Sequence, residues 1–381
     1  MAYESVDKLQ KMLADSVFDY AQDRKKAARR ALGTLVEIIT FYLLKSWGLE
    51  AGVAIERGLG EYRNPAISHN VEYSLHPVKF KESLILERYG LPLTSSKIFR
   101  QFMEKLEHLR EFKQKTNQLL SSERILRNSC VIGETEDLLL VGLVKELQWV
   151  GLAMDLVAQY RSPYAVFECK RVGVENGMKK GPQTIEKAKQ GAYVARTMSC
   201  LQKIRVHSGE LHGVVSRPDG TLYSKAYPKL IEEIVNCFDP DLLRNFILTV
   251  GVVSNHGNWF TSENQNKELM VLAQSYDWLL FLTDAGLSKF IRDVLLADNP
   301  EMAPARAAFK SSYSATKTKN SFTKVQMALE ADTVLRRYFT SNGAKIAKWF
   351  NVITPEGKDL TILRGQIAKL AGKQWPRIHT A

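Results

Sequence analysis

The chain has 381 residues, of which 45% are hydrophobic and 25% charged, a composition typical of globular rather than disordered proteins. It contains no apolar run of about 18 residues, which argues against a membrane-spanning helix. Its four cysteines form no CxxC pair, so neither a zinc site nor a disulfide framework is indicated. The opening residues also lack the apolar segment of a secretory leader, and we therefore expect a cytoplasmic protein with no membrane partner.

The formal net charge of +12 is concentrated at the C-terminal end of the chain. From Arg306 onward there are 14 Lys/Arg against 4 Asp/Glu, whereas the preceding residues contain 39 against 37. Lys and Arg side chains that neutralise phosphates supply much of the affinity of proteins for nucleic acid. The distribution therefore favours a polyanionic partner, with a solvated basic surface as the alternative.

The first half of the chain is predicted to be largely helical. Apolar spacing predicts a helix over residues 21–47 that ends at Gly48, a residue suited to a left-handed helix cap. Residues 79–130 are predicted to be a helical insertion, with one long helix over residues 95–120. We divide the chain at these points into an N-terminal helical part, residues 1–78, and the insertion, a possible DNA-recognition element.

The second half is predicted to alternate between strands and helices. Strands are expected at 138–144, 152–159, 164–172, 209–216 and 245–255, with helices between the later ones. This order indicates a mixed α/β (α+β) fold, in which a central mixed β-sheet is flanked by helices. Residues 131–300 would form the core, and residues 301–381 a basic C-terminal region of short helices.

The strands at 152–159 and 164–172 carry the residues of greatest chemical interest. Side chains alternate along a strand, so Glu168 and Lys170 are expected on one face and Cys169 on the other. If the two strands form a hairpin around Arg161 and Ser162, Asp155 lies opposite Glu168, with Cβ atoms about 5 Å apart.

Two carboxylates at such a distance repel each other and require a positive charge between them. Mg²⁺ prefers oxygen ligands and commonly takes one or two protein carboxylates. Asp155 and Glu168 are therefore the predicted magnesium ligands, and Lys170 could orient an attacking water. The alternative is a structural ion cluster formed by the same three side chains.

This arrangement resembles the PD-(D/E)XK nuclease superfamily, whose motif is an Asp on one strand and Glu-x-Lys on the next. Asp155, Glu168 and Lys170 match the motif, although Met154 replaces the usual proline. The other Glu-x-Lys triplets, at Glu111 and Glu356, lack a suitably placed upstream Asp. The resemblance implies a restriction-endonuclease-like core and Mg²⁺-dependent hydrolysis of DNA.

Further residues follow from the resemblance. The helix that opens the superfamily core often supplies an acid, here Glu37, and the helix after the catalytic strand often carries a glutamine, here Gln190. Basic residues that could contact the DNA backbone fall near the motif and in the C-terminal region: Arg171, Lys179, Lys180, Lys187, Arg336, Arg337, Lys345 and Lys348.

The size and the insertion look most like a type II restriction endonuclease, which cleaves a specific double-stranded DNA site and generally acts as a homodimer. A repair or recombination nuclease with the same core, and a DNA-binding protein without catalysis, are the alternatives. No P-loop or GxGxxG motif is present, so no nucleotide cofactor is expected.

Overall fold

A computed structural model describes residues 6–16, 18, 24–61, 64–87, 89–173, 193–244, 246–256, 267–313 and 320–380. The chain forms two compact units, each assembled from three separate stretches. Unit 1 comprises residues 1–55, 76–162 and 285–346, and unit 2 comprises residues 56–75, 163–284 and 347–381. These boundaries differ from the divisions placed at residues 78, 130 and 300 in the sequence.

Helices and strands alternate over much of the chain, which confirms the mixed α/β class. Within the described ranges, none of the helices is both long and apolar enough to cross a membrane. The α-helices are Val6–Ser16, Arg24–Ser46, Ser95–Phe102, Tyr227–Asn236, Pro240–Leu243, Lys267–Ser275, Asp284–Phe290, Ala303–Ser312, Leu329–Ser341, Gly343–Ala347, Leu360–Ala371 and Trp375–Thr380. Shorter helical turns occupy Glu50–Gly52, Glu107–Glu111, Ile291–Leu296 and Pro300–Met302, and residues 193–198 are also helical.

Unit 1 contains an antiparallel sheet that holds Asp155. Its strand order is Val78–Leu86, Gly151–Tyr160, Leu138–Gln148, Cys130–Glu134 and Lys113–Gln114. A second sheet has the order Gln326–Ala328, Ile125–Arg127, Gln118–Leu120 and Leu93–Thr94, and the short strand Val53–Ile55 also belongs to this unit.

One face of the larger sheet in unit 1 supplies an apolar core. Met154, Leu156 and Ala158 alternate with Asp155 and Val157 along their strand, and they join a buried cluster that includes residues of the Ser95–Phe102 helix. Asp155 therefore points away from this cluster, on the opposite face of the sheet.

The predicted helical insertion is wrong for most of its length. Residues 79–130 contain one α-helix, Ser95–Phe102, which ends well before residue 120. The first part of this segment is the strand Val78–Leu86, whose exposed and partly buried side chains alternate as a sheet edge requires. Leu106, Leu109 and Phe112 have helical spacing, but Leu109 lies in the short turn Glu107–Glu111, and the other two residues flank that turn.

Unit 2 contains the mixed sheet that holds Glu168. Its strand order is Tyr73–Leu75, Ala165–Gly173, Leu248–His256, Trp278–Leu282 and Phe350–Thr354. The three central strands are parallel, and the outer two run antiparallel to them. Trp278–Leu282 is buried at every position, as expected for a parallel strand covered on both faces.

Smaller elements complete unit 2. A three-stranded antiparallel sheet has the order Gln202–Arg205, Leu211–Ser216 and Leu222–Ala226, and a hairpin joins Gly58–Glu61 to Asn64–Asn70. One face of the mixed sheet is covered by apolar residues of the helical segment 193–198 and of the helix Lys267–Ser275, which pack with Val253. These helices enclose the face on which the Glu-x-Lys side chains lie.

Candidate active site

The hairpin predicted around Arg161 and Ser162 is wrong. The Asp155 strand pairs with Leu138–Gln148 on one side and with Val78–Leu86 on the other, so both of its edges are occupied. Asp155 lies opposite Leu143 and Ser83 in these pairs. The Glu168 strand pairs instead with Leu248–His256 and Tyr73–Leu75, and the two acids therefore belong to different sheets.

The negative charge of Asp155 is compensated by side chains of its own unit. It is 3% exposed, it accepts a hydrogen bond from Ser83 Oγ at 2.8 Å, and Lys81 Nζ and Lys145 Nζ lie 3.1 and 3.3 Å from its carboxylate. Burial by itself would raise the pKa of Asp155, but the Ser83 hydrogen bond and the two lysine charges outweigh burial and lower it. These contacts favour a structural role for Asp155.

The charges around Asp155 continue into a buried ionic network. Lys145 also binds Glu50, which lies 3.4 Å from Lys45 and receives two hydrogen bonds from Arg336. Lys45 in turn lies 2.7 Å from Asp332. The sequence-based interpretation of Arg336 as a DNA-contacting surface cation is thus corrected, because its guanidinium is held by Glu50 and Asp332 and only 22% of the side chain is exposed.

Glu37 has its own cationic partner in unit 1. It lies on the helix Arg24–Ser46, as the sequence predicts, and its carboxylate is 3.3 Å from Lys324 Nζ. Lys324 is buried, so the Glu37 carboxylate offsets the charge of a buried ammonium group. The contact gives Glu37 a structural explanation that does not involve Glu168.

Glu168 and Lys170 share one face of their strand, as predicted. Lys170 Nζ lies 3.6 Å from Glu168 Oε2, and the exposed fractions of the two side chains are 35% and 5%, respectively. The lysine therefore offsets the charge of a nearly buried carboxylate while its own end still reaches solvent. Of the sequence-predicted acids and bases, these two form the pair that the structure brings together.

Tyr276 lies beside this pair. Glu168 pairs in register with Gly251, and a Cβ atom on Gly251 would come within 2.8 Å of the Tyr276 ring. The absence of a side chain at Gly251 therefore leaves room for the Tyr276 ring. Burial raises the pKa of Tyr276 well above its ordinary value, and the charge of Glu168 raises it further, which indicates that the two groups are close.

A further acid, Glu72, was missed by the sequence analysis. Tyr73 pairs with Phe167 in the antiparallel register, so one further step would place Glu72 opposite Glu168. Glu72 is the residue immediately before the strand, it is partly exposed, and its carbonyl accepts a hydrogen bond from the Glu56 amide. The available signal was an acid directly before the short apolar segment Tyr73–Leu75, but its partner strand lies far downstream in the sequence.

The remaining residues predicted to contact DNA, together with Gln190, fall into two groups. Arg171 lies on the Glu168 strand, opposite Ser254, and is partly exposed, while Arg337, Lys345 and Lys348 are exposed in the C-terminal region. The others fall outside the described residues: Lys179, Lys180, Lys187 and Gln190.

The acids at this site suit a hard divalent cation. No group of three or more His, Cys, Asp or Glu side chains able to hold a metal occurs within the described ranges. Mg²⁺, however, commonly uses one or two carboxylates and keeps water in its other positions. Glu168, with Glu72 one residue beyond the paired part of the neighbouring strand, would form such a donor set beside the Lys170 ammonium group.

Comparison with known proteins identifies no relative of the chain. No family model matches the chain, and neither the curated proteins nor the solved structures give a match.

Proposed function

We propose that the chain is a Mg²⁺-dependent endonuclease that hydrolyses phosphodiester bonds of double-stranded DNA. The observation that carries the proposal is the Glu168–Lys170 pair, whose nearly buried carboxylate lies 3.6 Å from a partly exposed ammonium group. Glu72, at the end of the adjacent strand, takes the place that the sequence analysis gave to Asp155. The proposed site still resembles that of the PD-(D/E)XK superfamily, but one of its acids, Glu72, comes from a distant part of the chain.

In the proposed mechanism, Glu168 and Glu72 would hold the cation, and Lys170 would act on the substrate. A bound Mg²⁺ would supply Lewis acidity at the scissile phosphate and lower the pKa of a bound water. The Lys170 ammonium group can donate hydrogen bonds to the attacking water and to a non-bridging phosphate oxygen, where negative charge develops. Tyr276 and the apolar residues around it exclude bulk water from the inner side of Glu168.

The finer assignment is a type II restriction endonuclease that acts as a homodimer on a specific sequence. It is supported by the sequence resemblance and by the basic C-terminal region, in which Arg337, Lys345 and Lys348 are exposed. A digest of plasmid DNA with Mg²⁺ separates this assignment from a repair nuclease. Discrete fragments with uniform ends indicate sequence recognition, whereas a smear or a preference for branched DNA indicates the alternative.

Substitutions at the two acidic clusters test which of them is catalytic. Lys170→Ala, Glu168→Gln and Glu72→Gln should each reduce the plasmid cleavage rate by about 100-fold or more, because each removes a ligand or a charge from the reacting centre. Asp155→Asn is the matched control, since its carboxylate contacts Ser83, Lys81 and Lys145. This variant should retain cleavage, provided that circular dichroism shows it to be folded.

The opposite result would reverse the assignment. Loss of cleavage in a folded Asp155→Asn variant, with Glu72→Gln fully active, would make Asp155 the catalytic acid. Metal-independent DNA binding without cleavage by the unmodified chain under Mg²⁺ or Mn²⁺ would instead identify a DNA-binding protein without nuclease activity.

A further inference from the structure

Unit 2 contains a polar pocket of about 300 Å³ that the proposed nuclease reaction does not use. We name it the Lys203 pocket. Its charged lining residues are Arg196, Lys203, Arg205 and Asp277, and polar groups are added by Gln202, Gln274 and Ser275. The volume is at the lower end of the range for small-molecule sites, about 300–1,000 Å³.

Lys203 is the central cation of this pocket. Its ammonium group donates a hydrogen bond to the Tyr276 carbonyl and lies 4.4 Å from the centre of the Tyr227 ring. Among the residues described, it forms no ion pair with a carboxylate. A largely buried ammonium group without a direct ion pair is costly, because burial removes its hydration.

Asp277, the acid that lines the pocket, is already satisfied. One of its carboxylate oxygens accepts a hydrogen bond from the Tyr227 hydroxyl, and the other accepts hydrogen bonds from the Thr249 amide at 2.7 Å and the Thr249 hydroxyl at 2.9 Å. The side chain is 5% exposed. Asp277 therefore fixes the pocket wall, and its charge offsets the burial of Lys203 only in part.

The two arginines add further positive charge at the same pocket. Arg196 and Arg205 are exposed, and Arg205 donates one hydrogen bond to the Gly209 carbonyl at 2.9 Å. Neither forms an ion pair within the part of the chain that the structure describes. Burial lowers the pKa of Lys203 to about 8, and the nearby Asp277 offsets this only in part. The pocket thus carries an excess of positive charge that an anion would neutralise.

We propose that the Lys203 pocket binds a phosphomonoester dianion, on a free nucleotide or at the end of a nucleic-acid strand. Lys203 and the two arginines would neutralise the negative charge of the phosphate. Charge-assisted hydrogen bonds to phosphate are among the strongest that side chains make. Gln202, Gln274 and Ser275 would provide hydrogen bonds to the attached sugar or base.

Calorimetric titration in EDTA tests this site independently of the proposed nuclease reaction, which requires metal. The ligands are inorganic phosphate, adenosine 5′-monophosphate, adenosine, and a short oligonucleotide with either a 5′-phosphate or a 5′-hydroxyl group. We expect both phosphorylated forms to bind more tightly than their unphosphorylated counterparts. A larger difference for the oligonucleotide pair would identify a strand end as the ligand, and a larger difference for the nucleotide pair would identify a free nucleotide.

Variants of the pocket complete the test. Lys203→Met should weaken binding of the phosphorylated ligand about ten-fold or more through loss of one charge-assisted contact. Arg196→Gln, at an exposed position, should weaken it several-fold with no effect on folding. Lys225→Met is the control, because Lys225 lies in the same small sheet but pairs with Glu233. Equal binding with and without the phosphate, or unchanged affinity in the folded Arg196→Gln variant, would refute the proposal.

Discussion

At the scale of single residues, the carboxylate of Asp332 is a buried structural charge. Asp332 is fully buried, accepts a hydrogen bond from the Tyr42 hydroxyl at 2.7 Å, and is bound by Lys45 and Arg336. Burial alone would raise the pKa of Asp332, but the two cations outweigh burial and lower it. This carboxylate contributes to stability because its removal leaves Glu50 as the remaining anion for both Lys45 and Arg336.

Replacement of Asp332 by Asn should therefore reduce the free energy of unfolding by about 3–5 kcal/mol at pH 7, as measured by urea denaturation. Because the pKa of Asp332 is lowered in the folded state, its contribution is present above the unfolded value of about 4 and is lost as the pH falls. The difference in the free energy of unfolding between the unmodified protein and the Asp332→Asn variant should narrow below pH 4. Glu330→Gln is the control, since its ion pair with Arg124 is exposed and should contribute less than about 1 kcal/mol.

At the scale of secondary-structure elements, close packing of a helix end on a strand shapes the candidate active site. Tyr276 follows the helix Lys267–Ser275, and its ring occupies the space above Gly251 that a side chain would otherwise fill. A glycine in a central strand is unfavourable unless a neighbour needs that space. Here the neighbour is the ring beside Glu168, so Gly251 positions the site through Tyr276.

The variant Gly251→Ala should lower the free energy of unfolding by about 1–3 kcal/mol, because the new methyl group overlaps the Tyr276 ring. Its folded fraction should also cleave DNA more slowly if Glu168 is catalytic. Gly33→Ala provides the matched control: it lies in a helix with no atom within 4 Å of the added carbon, and it should be neutral or slightly stabilising. A stable and fully active Gly251→Ala variant would contradict the assigned packing role.

At the scale of the whole molecule, the net charge of +12 should govern association with DNA. The triple variant Arg337→Gln, Lys345→Gln, Lys348→Gln should reduce the slope of log affinity against log salt by about 2–3, close to 0.9 for each lost phosphate contact. Fluorescence anisotropy with a labelled duplex measures this slope. Lys225→Gln should leave it unchanged because Lys225 pairs with Glu233. An unaltered slope in the triple variant would exclude this region as a DNA contact.

The sequence by itself determined the local elements and the faces of the strands. The alternation around Glu168 and Lys170 placed both side chains on one face, and apolar spacing located the helix Arg24–Ser46 and its end at Gly48, which has a left-handed φ of 79°. These features depend on residues near one another in the chain, whose periodicity directly reflects the geometry of a helix or a strand.

Only the tertiary structure decided which strands became neighbours. It placed Asp155 among lysines of its own sheet and brought the strand after Glu72 alongside the Glu168 strand, although those residues lie far apart in the sequence. The physical reason is that strand pairing is a long-range contact selected by the packing of the whole unit. A local pattern specifies the face of a strand but leaves its partner open.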